Sequence, residues 1–183
     1  MSRAQTDPRR KWSGQKLHYD EKWNFSFFVP LDWVRYDLTN QYGVMYTHSQ
    51  DPRICFYVSV QDLSEVLDKP VTQADLPALR EGALEGLWNL ADCQIIYEKE
   101  ITKESAFGFE FMSTFTLDGE LCKRRVFLLY KGLQQFTIYG QVVPADEYEI
   151  FHDMLGYMYT VFTFKDLRAL IGKLEDLRNS VQM

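Results

Sequence analysis

Residues 107–131 read FGFEFMSTFTLDGELCKRRVFLLYK, and their pattern decides the fold class. Phe107, Phe109, Phe111, Phe115 and Leu117 share one side of an extended chain, because successive strand side chains point to opposite faces. Asp118-Gly119 follows, and both residues tolerate the positive φ that a two-residue type I′ turn demands. The return run carries Val126, Leu128 and Tyr130 to Gly132, so the stretch reads as a β-hairpin. The expectation is specific: Phe109 and Phe111 buried, Glu110 facing away from them, and a tight turn at Asp118-Gly119.

Downstream, Phe136, Ile138 and Val142 form one more strand, as in an antiparallel meander. Past Pro144 the period lengthens to 3.6: Tyr148, Phe151, Leu155, Met158 and Phe162 mark an amphipathic helix with Asp146, Glu147 and Glu149 at its positive end. Thr163-Phe164-Lys165-Asp166 resembles a capping box. After it Leu167, Leu170, Leu174, Leu177 and Val181 recur at steps of three and four, predicting a C-terminal helix over 165–183.

Upstream, Ile95 and Tyr97 alternate into Glu98, Lys99 and Glu100. Before them Leu76, Leu79, Ala83, Leu87 and Leu90 predict a helix whose buried stripe Trp88 would widen; Asp75 is its better cap, because Pro77 is tolerable only in a first turn. Ile54, Phe56, Val58 and Val60 alternate with Cys55, Tyr57, Ser59 and Gln61. The second set is partly apolar, which makes this an interior strand. Short strands over 33–38 and 44–48 flank a turn at 39–43, and Phe25, Phe27 and Val29 extend to Pro30, which cannot donate to a ladder. Residues 1–16, with Arg3, Arg9, Arg10, Lys11 and Lys16, read as a basic tail. The expected organisation is therefore a tail at 1–16, one α+β domain at 17–164 with an antiparallel sheet of about six strands, and the helix at 165–183.

The order of these elements, with Phe25-Ser26-Phe27-Phe28-Val29-Pro30-Leu31-Asp32-Trp33, resembles the PsbP-like superfamily, whose members open on an extended apolar strand, a Pro and a Trp. The resemblance continues through the hairpin, the strand 135–142 and the helix ending Tyr159-Thr160-Val161-Phe162-Thr163-Phe164, covering 17–164. It implies an antiparallel sheet sandwiched by helices. The superfamily takes in extrinsic photosystem II subunits, a Ran-binding import factor and chaperones of type VI secretion effectors, so the resemblance implies binding rather than catalysis.

Composition narrows the function further. A formal charge of −6 over 183 residues argues against nucleic acid as a partner, since phosphate binding needs a positive face. No apolar run approaches the roughly 20 residues of a membrane span. Cys55, Cys93 and Cys122 lack metal or disulfide spacing and read as reduced thiols, which places the protein in the cytoplasm. His18, His48 and His152 show no ligand spacing, and no glycine-rich phosphate loop occurs, so no metal, cofactor or catalytic residue is assigned.

Three local constellations need weighing. Cys55, seven residues after His48, makes a nucleophile pair conceivable, though a core thiol beside a surface His is the plainer reading. Glu98, Glu100 and Glu110 suit acid–base work, yet they also fit a solvated sheet face with Lys99 and Arg neighbours. In Lys123-Arg124-Arg125, alternation sends Arg124 to one face and its neighbours to the other. The best surface is the stripe Leu167, Leu170, Leu174, Leu177 and Val181, which packs on its own domain, on a second subunit as a homodimer, or on another protein. The function expected is a non-catalytic protein-binding module, adaptor or chaperone-like. A carrier of small hydrophobic ligands held between sheet and helices is the alternative, and a hydrolase using Cys55 the remote one.

Overall fold

The computed structural model describes residues 14–38, 42–168 and 171. Among them the chain runs β1 (Gln15–Asp20), β2 (Phe25–Pro30), β3 (Val34–Asp37), β4 (Tyr42–His48), β5 (Asp51–Asp62), α1 (Leu76–Trp88), β6 (Gln94–Lys103), β7 (Ala106–Leu117), β8 (Glu120–Lys131), β9 (Gln134–Val142) and α2 (Tyr148–Val161). β1 and β2 pair as a separate hairpin. The rest form a seven-stranded sheet in the order β3-β4-β5-β9-β8-β7-β6, antiparallel at every junction. The main sheet thus has seven strands where about six were expected, and α1 carries the chain from β5 to the far edge at β6.

The hairpin at the centre of the sequence reading is present as β7 and β8. Phe109 and Phe111 are buried, and Asp118 and Gly119 have φ of 50° and 82°, the left-handed pair of a type I′ turn. Its register pairs Phe111 with Val126 and Phe109 with Leu128.

Alternation divides the core between the two faces of the sheet. One face presents Ile54, Phe56 and Val58 of β5, Leu129 of β8, and Phe136 and Ile138 of β9. Over it lie Phe151, Met154, Leu155 and Met158 of α2 and Phe25, Phe27 and Val29 of the β1–β2 hairpin, all in one apolar cluster. Each such side chain is worth about 1.5–3 kcal/mol on burial, which is why a hairpin too short to stand alone is stable here. After α2 the chain zips onto β2: the Ser26 N–H donates to the Thr163 carbonyl at 2.8 Å and the Thr163 N–H to the Ser26 carbonyl at 2.9 Å. This seats Phe162 and Phe164 in the core.

The other face is covered by α1, and only in part. Leu84 packs with Phe109 and Phe111, flanked by Leu76, Ala83 and Leu87, and Leu79 reaches the cluster of Tyr130, Phe107 and Leu128. Trp88 corrects the expected stripe, because it is 62% exposed. One residue past Leu87 is about 100° round the helix, which turns Trp88 away from the sheet. Asp75 is the N-cap of α1, as expected, with Pro77 in the first turn. Its carboxylate turns back rather than capping: Thr72 donates both its N–H and its hydroxyl to Asp75 Oδ2, each at 2.8 Å, and a 3₁₀ turn at Gln73–Asp75 precedes α1.

His18 of β1 illustrates what the hairpin packing costs. Its ring is buried against Phe25 and Phe27, Nδ1 lies 3.1 Å from the Tyr46 hydroxyl, and buried Nε2 has no hydrogen-bond partner among the described residues. Burial, reinforced by the charge of Arg35, lowers its pKa to about 4. Between pH 6.5 and 4 the unfolded chain therefore binds a proton that the folded one refuses. The stability is complete above pH 6.5 and lost as pH falls through that window, by about 3 kcal/mol. Thermal midpoints at pH 7 and 4.5 should separate by several degrees more in the wild type than in His18→Phe. Equal separations would mean that His18 does not carry the effect.

Candidate functional site

Because α1 covers β7 and β8, the same face over β5 and β9 is left open among the described residues. Side chains pointing there include Tyr57, Ser59 and Gln61 of β5, opposed in register by Tyr139, Thr137 and Gln135 of β9. With Lys22, Trp23, Tyr42, Asp62 and Glu65 they line a groove of about 750 Å³. Tyr57 and Tyr139 stack with ring centroids 4.4 Å apart. Arg124 lies over Tyr139 at 4.3 Å and over Phe115 at 4.5 Å, while its Nε donates to Gln141 Oε1 at 3.0 Å. The groove thus combines aromatic platforms with a row of hydroxyl and amide groups. That chemistry suits a polypeptide, whose amides need partners and whose side chains need surface.

The opposite face holds the strongest electrostatic feature. Glu110 is 2% exposed and accepts from Arg125 Nε at 2.8 Å, from Lys99 Nζ at 2.9 Å and from the Tyr97 hydroxyl. Burial opposes its ionisation, but the bonds from Tyr97, Lys99 and Arg125 outweigh burial and hold its carboxyl below the usual range. Tyr97 is pushed up to about 12 by burial and by its bond to Glu110. Arg125 in turn stacks on Phe127 and Tyr159. The expected neighbours are present, but the solvated face is corrected for Glu110, whose strand lies one place in from the edge of the sheet. A carboxylate already accepting from three donors ties strands together; it is not poised to move a proton.

The remaining sequence candidates are scattered. Glu98 pairs with Arg80 of α1, on the face opposite Glu110. His48 is buried against Trp33 and Phe151, whereas Cys55, between the inward-facing Ile54 and Phe56, projects to the other side of the sheet. The conceivable nucleophile pair is therefore not assembled. Burial also pushes the Cys55 thiol up to about 12, away from reactive thiolate. Arg124 and Arg125 do go to opposite faces. The space between α2 and the sheet, where a hydrophobic ligand was the alternative, is filled by aromatic and aliphatic side chains. Of the stripe Leu167, Leu170, Leu174, Leu177 and Val181, only Leu167 is described: it is half-buried, its N–H 3.4 Å from Ser26 Oγ. The other four lie outside the described residues.

The groove itself was not anticipated. Its one local signal is that Ser59, Gln61, Gln135 and Thr137 stand where a fully covered strand would carry aliphatic residues.

This architecture is an α+β domain with one face roofed and the other half open, and it is the PsbP-like fold. The structure is similar to the cyanobacterial PsbP, CyanoP, of Synechocystis sp. PCC 6803, with a TM-score of 0.59 and 12% identity over 82% of this chain and 92% of that one. It is similar to the Saccharomyces cerevisiae Ran-binding protein Mog1p, with 0.53 and 11% over 84% and 96%. LpqN of Mycobacterium tuberculosis, involved in cell envelope biogenesis, gives 0.50 and 15% over 82% and 90%. Neither a protein-family model nor a curated protein matches the sequence. No helix among the described residues is long and apolar enough to cross a membrane.

Proposed function

We propose that this chain is a non-catalytic protein-binding module of the adaptor or chaperone-like kind, acting in the cytoplasm, and that an extended segment of its partner lies along the groove over β5 and β9. The observation that carries this reading is the unroofed half-face, where Tyr57 and Tyr139 stack beside a polar row. A sheet face that merely met water would not need that aromatic surface. Likeness of fold to a Ran-binding protein agrees in kind. The stripe Leu167, Leu170, Leu174, Leu177 and Val181 is our proposed second contact, to another protein or another copy of this chain.

Capture from a lysate of the native host tests the groove when wild type is compared with Thr137→Arg, which blocks the groove without entering the core. The wild type is expected to retain a partner that the variant loses, with an unchanged melting curve. A partner retained equally by both would sink the assignment. Truncation after Arg168 separates the second contact: loss of the groove partner there, with the fold intact, would move the binding surface to the stripe at 170–181.

A further inference from the structure

Lys22 stands in the turn between β1 and β2, where Asp20 Oδ1 accepts the Trp23 N–H at 2.9 Å and Asn24 takes the left-handed conformation. Its ammonium lies 3.3 Å from the centroid of the Tyr42 ring and 4.8 Å from that of Trp23. The two rings meet edge-on at 5.6 Å. Trp23 is anchored in the core while Tyr42 is 57% exposed, so one wall of this pair is fixed and the other open. Asp62, at the end of β5, lines the same groove with Glu65. The Ser64 N–H donates to Asp62 Oδ1 at 2.9 Å, and hydrogen bonding from Ser64 holds this carboxyl below its ordinary range, helped by the charge of Lys22.

Two aromatic faces and two carboxylates at the end of a groove make a receptor for a cation. The cation now in it is the protein's own, carried on an exposed, flexible four-carbon stem. Charge points the same way. The formal charge is −6, and residues 1–13 hold Arg3, Arg9, Arg10 and Lys11 against Asp7 alone, so residues 14–183 are more acidic than the whole chain. Tyr139, which lines the same groove, already carries a guanidinium on its ring, that of Arg124.

We propose that Lys22 is an internal placeholder, and that Trp23, Tyr42, Asp62 and Glu65 form a specificity pocket for a Lys or Arg side chain of the segment bound in the groove. The proposal rests on the groove reading above and adds its selectivity: the partner segment is basic. Binding exchanges one cation for another, so affinity is modest in the wild type and rises when the placeholder is removed.

The test titrates the ¹⁵N-labelled full chain with the peptide Ac-Gly-Lys-Gly-NH₂ and with its norleucine counterpart, following the indole N–H of Trp23. Lys22→Ala is expected to bind the lysine peptide about tenfold more tightly than wild type, with no matching gain for norleucine. Adding Tyr42→Leu should abolish the gain while leaving the fold intact, since Tyr42 is exposed. The proposal is overturned if Lys22→Ala binds lysine no better than wild type, or lysine and norleucine equally. It is overturned too if the gain appears only after residues 1–13 are deleted, for the occupant would then be this chain's own tail. Loss of the pocket effect with partner capture still blocked by Thr137→Arg would remove the pocket and leave the groove standing.

Discussion

Replacing Glu110 by Gln is expected to lower folding stability by about 3 kcal/mol, the lower end of the cost of breaking a buried ion pair. The loss comes from what remains: Arg125, whose side chain is 20% exposed, would keep its charge among Phe127 and Tyr159 without a counter-ion. Lys99 is 56% exposed and can turn to water, so Lys99→Met should cost less than about 1 kcal/mol. The double variant Glu110→Met, Arg125→Met removes both charges and keeps the packing on Tyr159; it should return to within about 1.5 kcal/mol of wild type. For a chain of this length 3 kcal/mol is roughly 6–12 °C in melting temperature. Because the folded carboxyl titrates below its unfolded value, its contribution is present above the unfolded carboxylate pKa and lost as pH falls through the folded one. Melting curves at pH 7 of Glu110→Met, Arg125→Met and the double variant decide the matter: additive losses would mean that Glu110 and Arg125 act independently.

What could be read beforehand was whatever depends on neighbours in sequence. Phe109 and Phe111 against Glu110, the Asp118-Gly119 turn, the period of α2 and the opposite aims of Arg124 and Arg125 all follow from strand or helix geometry over a few residues. The resemblance carried by Phe25 to Trp33 supplied the fold itself, which periodicity alone would not. The pairing of β5 with β9 was not legible, since Tyr57 and Tyr139 are far apart in the chain and nothing local says that they stack. The groove depends on that pairing and on α1 stopping short of it. Trp88 misled for a related reason: an apolar residue beside a stripe reads as buried, and only the angle at which the helix lands decides. Glu110 misled in the other direction. A carboxylate on an aromatic strand looks solvated until Tyr97, Lys99 and Arg125 are known to converge on it from both neighbouring strands.

Gly108→Ala is expected to be the most damaging single methyl that the β7–β8 hairpin can receive. A Cβ at this position would lie 1.9 Å from the Leu128 carbonyl oxygen and 3.0 Å from its carbon. That neighbour is the backbone of β8, locked by its ladder to both β7 and β9, so it cannot swing aside as the end of a side chain would. Relief requires β7 and β8 to part where Phe107 and Phe109 hold the α1 face and Leu129 holds the other, and the cost should reach about 3 kcal/mol or more. Gly82→Ala in α1 is the matched control, because a Cβ there meets nothing within 4 Å and alanine should stabilise a helix interior by about 0.5–1 kcal/mol. Chemical denaturation of the two variants should therefore move in opposite directions. Equal, small shifts would mean that β8 can give way at Leu128 and that the close approach at Gly108 does not demand glycine.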